Sequence, residues 1–184
     1  MARTILASAT KEVVIGFDQP FTMIGERINP TGRKLFSKEL KEFNYWRVKK
    51  EALAQVEAGA QILDVNVGVP LADEALIMSE VIPLIQSLTD TPLCIDSSIM
   101  DALEAGLKVY KGRPLLNSTT AEEEVMERIL PLVAKYDCAV VAISNDSLIN
   151  LINNLPLVLN DCIDTDSVND LDIALPNASD SWTV

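Results

Sequence analysis

The chain has 184 residues, enough for one well-buried core, and a formal net charge of −12 that argues against a nucleic-acid partner, because binding phosphate needs a basic surface. It contains no histidine, which excludes the commonest general base and every Ser-His or Cys-His nucleophile pair. It has neither the roughly 20 consecutive apolar residues of a membrane span nor a secretory signal, so a cytoplasmic protein without a membrane partner is expected.

The cysteines and the aspartate-rich end predict no metal site. Cys94, Cys138 and Cys162 are odd in number and have no C-x-x-C spacing, which is typical of small buried side chains in a reducing compartment. The cluster Asp161, Asp164 and Asp166 lacks the glycine and the terminal glutamate of a calcium loop.

The first third of the chain predicts a strand, a helix and a second strand. Residues Phe21–Ile28 form a β-rich run that enters the turn Asn29–Gly32. From Ser37 the apolar residues recur at helical spacing, and Gly59 stands where a helix would end. The apolar positions are Leu40, Phe43, Trp46, Leu53 and Val56. Residues Ala60–Val67 then predict the second strand.

The next residues continue the alternation. Helices are predicted over Ala72–Leu88 and Met100–Val109, and strands over Pro92–Asp96 and Arg113–Asn117. Thr120 and Glu123 have the spacing of a capping box for a last helix, whose apolar face is Val125, Ile129, Leu132 and Tyr136 and which contains Pro131. Cys138–Ile143 predicts a fifth strand. Alternating strands and helices predict βαβ units with a parallel sheet.

Polar side chains at the strand ends favour a (β/α) barrel over an open doubly wound sheet. No strand is followed by G-x-G-x-x-G, so a dinucleotide-binding fold has no motif support. Four successive strands instead carry acids or amides near their carboxyl ends, which is where a barrel places its active site. These residues are Glu26, Asp64, Asn66, Asp96 and Asn117. Asp64 and Asn66 share parity along one strand, so they should point to the same side.

The composition changes after Ile143. No glycine follows Gly112, no basic residue follows Lys135, and seven aspartates occur from Asp146 onward. We therefore expect residues 1–145 to form the barrel portion and residues 146–184 to be a divergent, Asp/Asn-rich and poorly ordered tail.

Four blocks of sequence resemble one family in the expected order. They are Ile24-Gly-Glu-Arg-Ile-Asn-Pro-Thr-Gly32, Gly59-Ala-Gln-Ile-Leu-Asp-Val-Asn-Val-Gly68, Pro92-Leu-Cys-Ile-Asp-Ser-Ser98 and Leu116-Asn-Ser-Thr119. Together they resemble the pterin-binding methyltetrahydrofolate:corrinoid methyltransferases and the folate domain of cobalamin-dependent methionine synthase. The resemblance covers roughly residues 22–145 and implies a (β/α)8 TIM barrel, here its first five βα units, since a full barrel needs about 250 residues.

The resemblance also implies a function in one-carbon metabolism and methionine biosynthesis. Members of this family transfer a methyl group from 5-methyltetrahydrofolate to the cobalt of a cobalamin or other corrinoid that a partner protein or domain carries. It assigns Asp96 and Asn117 to the edge of the pterin and Asp64 and Asn66 to the floor of the same pocket. Glu26, Asn29 and Ser118 also match family positions. The family's N5-activating residue lies on a later strand and is not placed here, so the catalytic residue is unknown.

Three alternatives fit the sequence. The chain could be a truncated pterin-binding copy of such a methyltransferase, a dihydropteroate synthase-like enzyme of folate synthesis, or a non-catalytic pterin-binding or interaction module. The family resemblance allows a homodimer. Five strands alone are also expected to leave the first and fifth strands with unpaired edges and the inward side chains facing water.

Overall fold

Short strands and amphipathic helices alternate through residues 3–143, the part of the chain that the computed structural model describes. In chain order the strands are β1 (Thr4–Ala7), β2 (Glu12–Ile15), β3 (Ile24–Ile28), β4 (Ile62–Asn66), β5 (Leu93–Asp96), β6 (Leu115–Thr120) and β7 (Ala139–Ile143). The helices are α1 (Lys34–Lys41), α2 (Trp46–Glu57), α3 (Glu74–Gln86), α4 (Met100–Val109) and α5 (Glu123–Tyr136).

Strands β3 to β7 form one parallel sheet in sequence order, as the βαβ alternation predicts. Successive side chains of each strand point to opposite faces of the sheet, and the apolar side chains on the outer face pack against the helices. Leu63, Val65 and Ile95 are fully buried in the main core, where they join apolar side chains of the helices. The consecutive parallel order is that of a partial barrel, and the predicted fold class is confirmed.

A hairpin of β1 and β2, which the sequence analysis did not predict, lies at the amino ends of these strands. Its Leu6 and Val13 pack with the inward-pointing Ile62, Cys94, Leu115 and Ala139. Ala7 and Arg113 exchange two backbone hydrogen bonds of 2.8 and 2.7 Å, which attach the hairpin to the start of β6. The expectation that the inward side chains face water is therefore wrong at this end, because the hairpin buries them.

The single helix predicted from Ser37 to Gly59 is also wrong. The chain breaks at Phe43, whose φ of 54° lies in the left-handed region, and α2 begins only at Trp46. Phe43 and Trp46, two members of the apolar pattern, are half-exposed, whereas Leu40 and Val48 are fully buried. The apolar pattern suggested one continuous helix because it included Phe43 and Trp46, two surface side chains that do not face the core.

The predicted capping box of the last helix does not form. Thr120 belongs to β6, and α5 begins after Glu122 without a side-chain cap, although it does run through Pro131. Both cysteines in the described range, Cys94 and Cys138, are buried and free as predicted. Cys162, the boundary at residue 145 and the tail lie outside the described residues.

Strands β3 and β7 are the outer strands of the parallel sheet. Within residues 3–143, β3 and β7 each pair with one neighbouring strand of the parallel sheet. In the same range no helix combines the length and the apolar character needed to cross a membrane.

Candidate functional site

The carboxyl ends of β4, β5 and β6 bring four of the predicted site residues together. The register places Asn66 beside Asp96, and Asp96 beside Asn117. Asp64 lies one inward position below Asn66 on the same strand, opposite Cys94. These residues are far apart in sequence, but they point to the same face of neighbouring strands at the same level and therefore form one polar cluster.

Asn66 holds Asp96 in place. Its Nδ2 donates to Asp96 Oδ2 at 2.9 Å, while its own Oδ1 accepts from the backbone N–H of Gly68 at 2.9 Å. Both ends of the Asn66 amide are therefore engaged within the protein. Asp96 Oδ1 accepts no hydrogen bond from residues 3–143 and, on a half-buried side chain, is open to a ligand.

Asp64 and Asn117 form a second hydrogen-bonded pair. Asn117 Nδ2 donates to Asp64 Oδ1 at 3.4 Å, whereas the amide oxygen of Asn117 has no partner in the described part of the chain. Asp64 is only 4% exposed, and its buried Oδ2 accepts no hydrogen bond there either. A buried carboxylate oxygen without a donor is costly, which makes Asp64 a candidate functional residue.

The pKa values of the two aspartates are raised. Burial raises the pKa of Asp64 to about 6, and the charges of Asp96 and Glu26 raise it too, whereas the neighbouring Cys94 thiol and the hydrogen bond from Asn117 lower it. Burial likewise raises the pKa of Asp96, with Asn66 opposing the shift and Glu26 adding to it. No Lys or Arg within the described residues forms an ion pair with any of these three carboxylates. The cluster is thus strongly negative and lacks an internal counter-charge.

Glu26 and Asn29 are brought together in the loop after β3. Asn29 Nδ2 donates to Glu26 Oε1 at 3.2 Å, and Asn29 Oδ1 accepts from the N–H of Thr31 at 2.9 Å. These bonds order the first loop, while the charge of Glu26 is felt at Asp64 and Asp96. Ser118 is half-buried next to Asn117, where the β6–β7 register shifts, and its hydroxyl has no hydrogen bond to the described residues.

Two buried polar residues beside the cluster were missed by the sequence analysis. Ser97 Oγ donates a short hydrogen bond to Glu74 and accepts from the N–H of Ile99 at 2.9 Å. This chain links the start of α3 to the loop after β5, so it fixes the backbone directly after Asp96. Only the adjacency of Ser97 to Asp96 signalled it, because Glu74 lies 23 residues away along the chain.

The cluster is suited to a small ligand that presents several N–H donors side by side. Its free groups are carboxylate and amide oxygens at the end of a sheet, where barrels bind substrates. In the described range no three His, Cys, Asp or Glu residues are arranged to hold a metal ion.

Known proteins resemble this chain in both sequence and fold. The sequence matches the family described as pterin binding enzyme over residues 25–167, more than half of the chain. The fold is similar to that of the crystal structure of 7,8-dihydropteroate synthase from Vibrio fischeri ES114, with 19% identity and a TM-score of 0.54. That similarity covers 86% of this chain and 62% of the other, so this chain spans less than two-thirds of that protein, and at this identity it shows the fold alone. On the match over residues 25–167, the chain belongs to the pterin-binding enzyme family.

Proposed function

We propose that the cluster at the ends of β4, β5 and β6 binds the pterin ring of 5-methyltetrahydrofolate for methyl transfer to the cobalt of a partner's corrinoid. The pterin assignment rests on two hydrogen-bonded pairs, in each of which one side chain orients another that can still accept a hydrogen bond from a ligand. Asn66 orients Asp96, and Asp64 orients Asn117. Each pair leaves one oxygen at the carboxyl ends of the strands without a hydrogen bond from residues 3–143.

The chemistry of a pterin complements these groups. One edge of the ring presents an amino group beside a ring N–H, which a carboxylate such as Asp96 can accept together. The amide of Asn117 offers both an acceptor and a second N–H to the remaining ring atoms. A ring nitrogen or carbonyl left unpaired in such a pocket costs about 1–3 kcal/mol, so these contacts would select pterins over other flat heterocycles.

Methyl transfer requires that N5 of the folate becomes a better leaving group, through protonation or a strong hydrogen bond. A corrinoid carried by a partner protein or domain would supply a reduced Co(I) nucleophile for the methyl group, and tetrahydrofolate would leave with a proton on N5. The residues of this chain would bind the ring, orient the N5-methyl bond toward the mouth and exclude water from the floor. We assign the N5-activating role to no residue between 3 and 143.

Two other functions use the same pocket. A dihydropteroate synthase would join a pterin diphosphate to an aromatic amine, and the fold similarity to such an enzyme favours it as the second candidate. No Lys or Arg of the described residues pairs with the carboxylates of the cluster, so a diphosphate would need positive charge from outside the cluster. A non-catalytic pterin-binding module would need only the four polar residues.

The first test is binding of 5-methyltetrahydrofolate to the 184-residue protein by calorimetry. Asp96→Asn should weaken binding by about 1–3 kcal/mol, because one free acceptor becomes a donor facing ring N–H groups. Asp90→Asn is the matched control, since Asp90 is exposed and its one ion pair among the described residues is with Lys11 at 3.8 Å. Equal affinity of the parent and the Asp96 variant would refute the assignment.

The second test separates the reactions. Loss of the cob(I)alamin absorbance on mixing with protein and 5-methyltetrahydrofolate supports the methyltransferase. Product formation from a pterin diphosphate and p-aminobenzoate, without methyl transfer, would instead establish the synthase. Folate binding without either reaction would identify a binding module.

A further inference from the structure

Asp64 is the most deeply buried acid of the polar cluster, and the protein gives it few hydrogen bonds. Its side chain is 4% exposed and points to the same face of the sheet as that of Asn66. One carboxylate oxygen, Oδ2, is buried and accepts no hydrogen bond from residues 3–143. The other accepts from Asn117 across 3.4 Å, which is long for a hydrogen bond to a charged group. This environment suits a neutral carboxylic acid better than a carboxylate.

The groups around Asp64 supply no positive charge. The titratable groups that face it are Glu26 on β3 and Asp96 and Cys94 on β5, while β6 contributes a neutral amide. Burial raises the pKa of the Cys94 thiol, so Cys94 remains a neutral S–H group. No Lys or Arg of residues 3–143 forms an ion pair with the three carboxylates. Like charges that lie this close without a cation favour a proton on one of them.

Asp64 is better suited to hold that proton than Asp96. Asp96 accepts from Asn66 at 2.9 Å on a half-buried side chain, and a pterin would add further N–H donors to it. Burial raises the pKa of Asp64 to about 6, so in the free protein Asp64 is mostly ionised at pH 8. A pterin ring is neutral, so it covers the cluster without adding positive charge. The bound site would then enclose two neighbouring carboxylates unless Asp64 takes up a proton.

We infer that Asp64 acts in the bound site as a neutral carboxylic acid whose O–H donates a hydrogen bond to an acceptor atom of the pterin ring. The inference rests on the proposed function and gives the floor of that site a donor that an ionised Asp64 lacks. The proton comes from the solvent and forms an O–H bond on the carboxyl group, and no other covalent bond changes. The ring carbonyl beside the N–H that faces Asp96 is an acceptor of the required kind.

The dependence of folate binding on pH tests this inference. Calorimetry of 5-methyltetrahydrofolate with the 184-residue protein should give the highest affinity below about pH 6, because binding selects the protonated form of Asp64. Above that pH the affinity should fall by up to about tenfold per pH unit. Titrations at pH 8 in two buffers of different protonation enthalpy should show the uptake of about one proton per folate bound.

Two substitutions separate the donor from the charge. Asp64→Asn replaces the O–H by an N–H that does not titrate, so the affinity should no longer fall as pH rises and the proton uptake should disappear. Asp64→Leu has similar branching but no donor, so its affinity should also be independent of pH and about 5- to 100-fold weaker than that of the Asn variant. Asp90→Asn, which changes an exposed acid, should keep the pH dependence of the parent.

The outcomes separate this inference from the proposed function. Proton uptake that persists in Asp64→Asn would place the proton on the folate or on another carboxyl group and overturn the inference. An affinity of the parent that stays constant from pH 6 to pH 8 would also overturn it, as would equal affinities of the Asn and Leu variants. In all three cases the folate still binds, so the proposed function stands. Absence of folate binding at every pH would overturn both. Circular dichroism shows whether each variant is folded, and the Asn variant alone decides the proton uptake if the Leu variant does not fold.

Discussion

Replacing Asp64 by asparagine should make the protein more stable at neutral and alkaline pH, although it removes a charge from the candidate site. Asp64 is almost fully buried, has one oxygen without a hydrogen bond in the described structure and lies in the field of Asp96 and Glu26. All of these features oppose its ionised form. The neutral amide keeps an oxygen that can accept from Asn117 and avoids the burial of a charge.

The magnitude follows from the raised pKa. A shift from an ordinary 3.8 to about 6 corresponds to about 3 kcal/mol of folding free energy. Between these two pH values the folded state binds more protons than the unfolded state, so the free energy of unfolding falls as pH rises. The cost of Asp64 is thus absent below about pH 4 and complete above about pH 6. After allowing for an amide N–H left unpaired, Asp64→Asn should stabilise the protein by about 1–3 kcal/mol at pH 8.

Urea unfolding of the parent and the variant between pH 4 and pH 8 measures this difference. The gain should be near zero at the acidic end and grow through the window, whereas the exposed control Asp90→Asn should show no such growth. A variant that is equally or less stable than the parent at pH 8 would refute the argument that an ionised, poorly compensated Asp64 is held in the native state.

Two other substitutions test the arrangement described above. Asn66→Ala should weaken binding of 5-methyltetrahydrofolate by about 1–2 kcal/mol in calorimetry, because Asp96 loses the donor that orients it, and unchanged affinity would show that Asp96 is positioned in another way. Leu6→Ala should lower the free energy of unfolding by about 2–5 kcal/mol in urea titrations, because Leu6 is fully buried between the hairpin and the sheet, and a loss below about 1 kcal/mol would mean that the hairpin packs loosely.

Local sequence patterns were sufficient to predict the parallel sheet and to predict that Asp64 and Asn66 point to the same face of it. The parity of Asp64 and Asn66 depends only on strand geometry, so it could be predicted from the sequence alone. The partners of these residues could not, because they depend on the register between strands. The hydrogen bond from Asn66 joins residues 30 apart, and that from Asn117 joins residues 53 apart.

The errors have similar physical causes. The hairpin strands β1 and β2 have four residues each, too short for a clear alternation, and their burial depends on the inward ends of strands much later in the chain. The break at Phe43 requires a left-handed residue without glycine or proline to signal it. For the hairpin, tertiary contacts rather than local preference determine the structure.

The attachment of the hairpin has a consequence for how the protein folds during synthesis. The Tyr110 hydroxyl donates to the carbonyl of Ala7 across 103 positions, and the Arg113 guanidinium donates to the carbonyl of Ile5 across 108 positions. The last buried residue of the cluster around Leu6 is Ala139, so at 5–20 residues per second a ribosome reaches it roughly 7–27 s after Leu6. Until then its apolar surface, and that of Ile62, has no partner from β6 or β7. We therefore expect the nascent chain, more than the finished protein, to be the species that depends on chaperones.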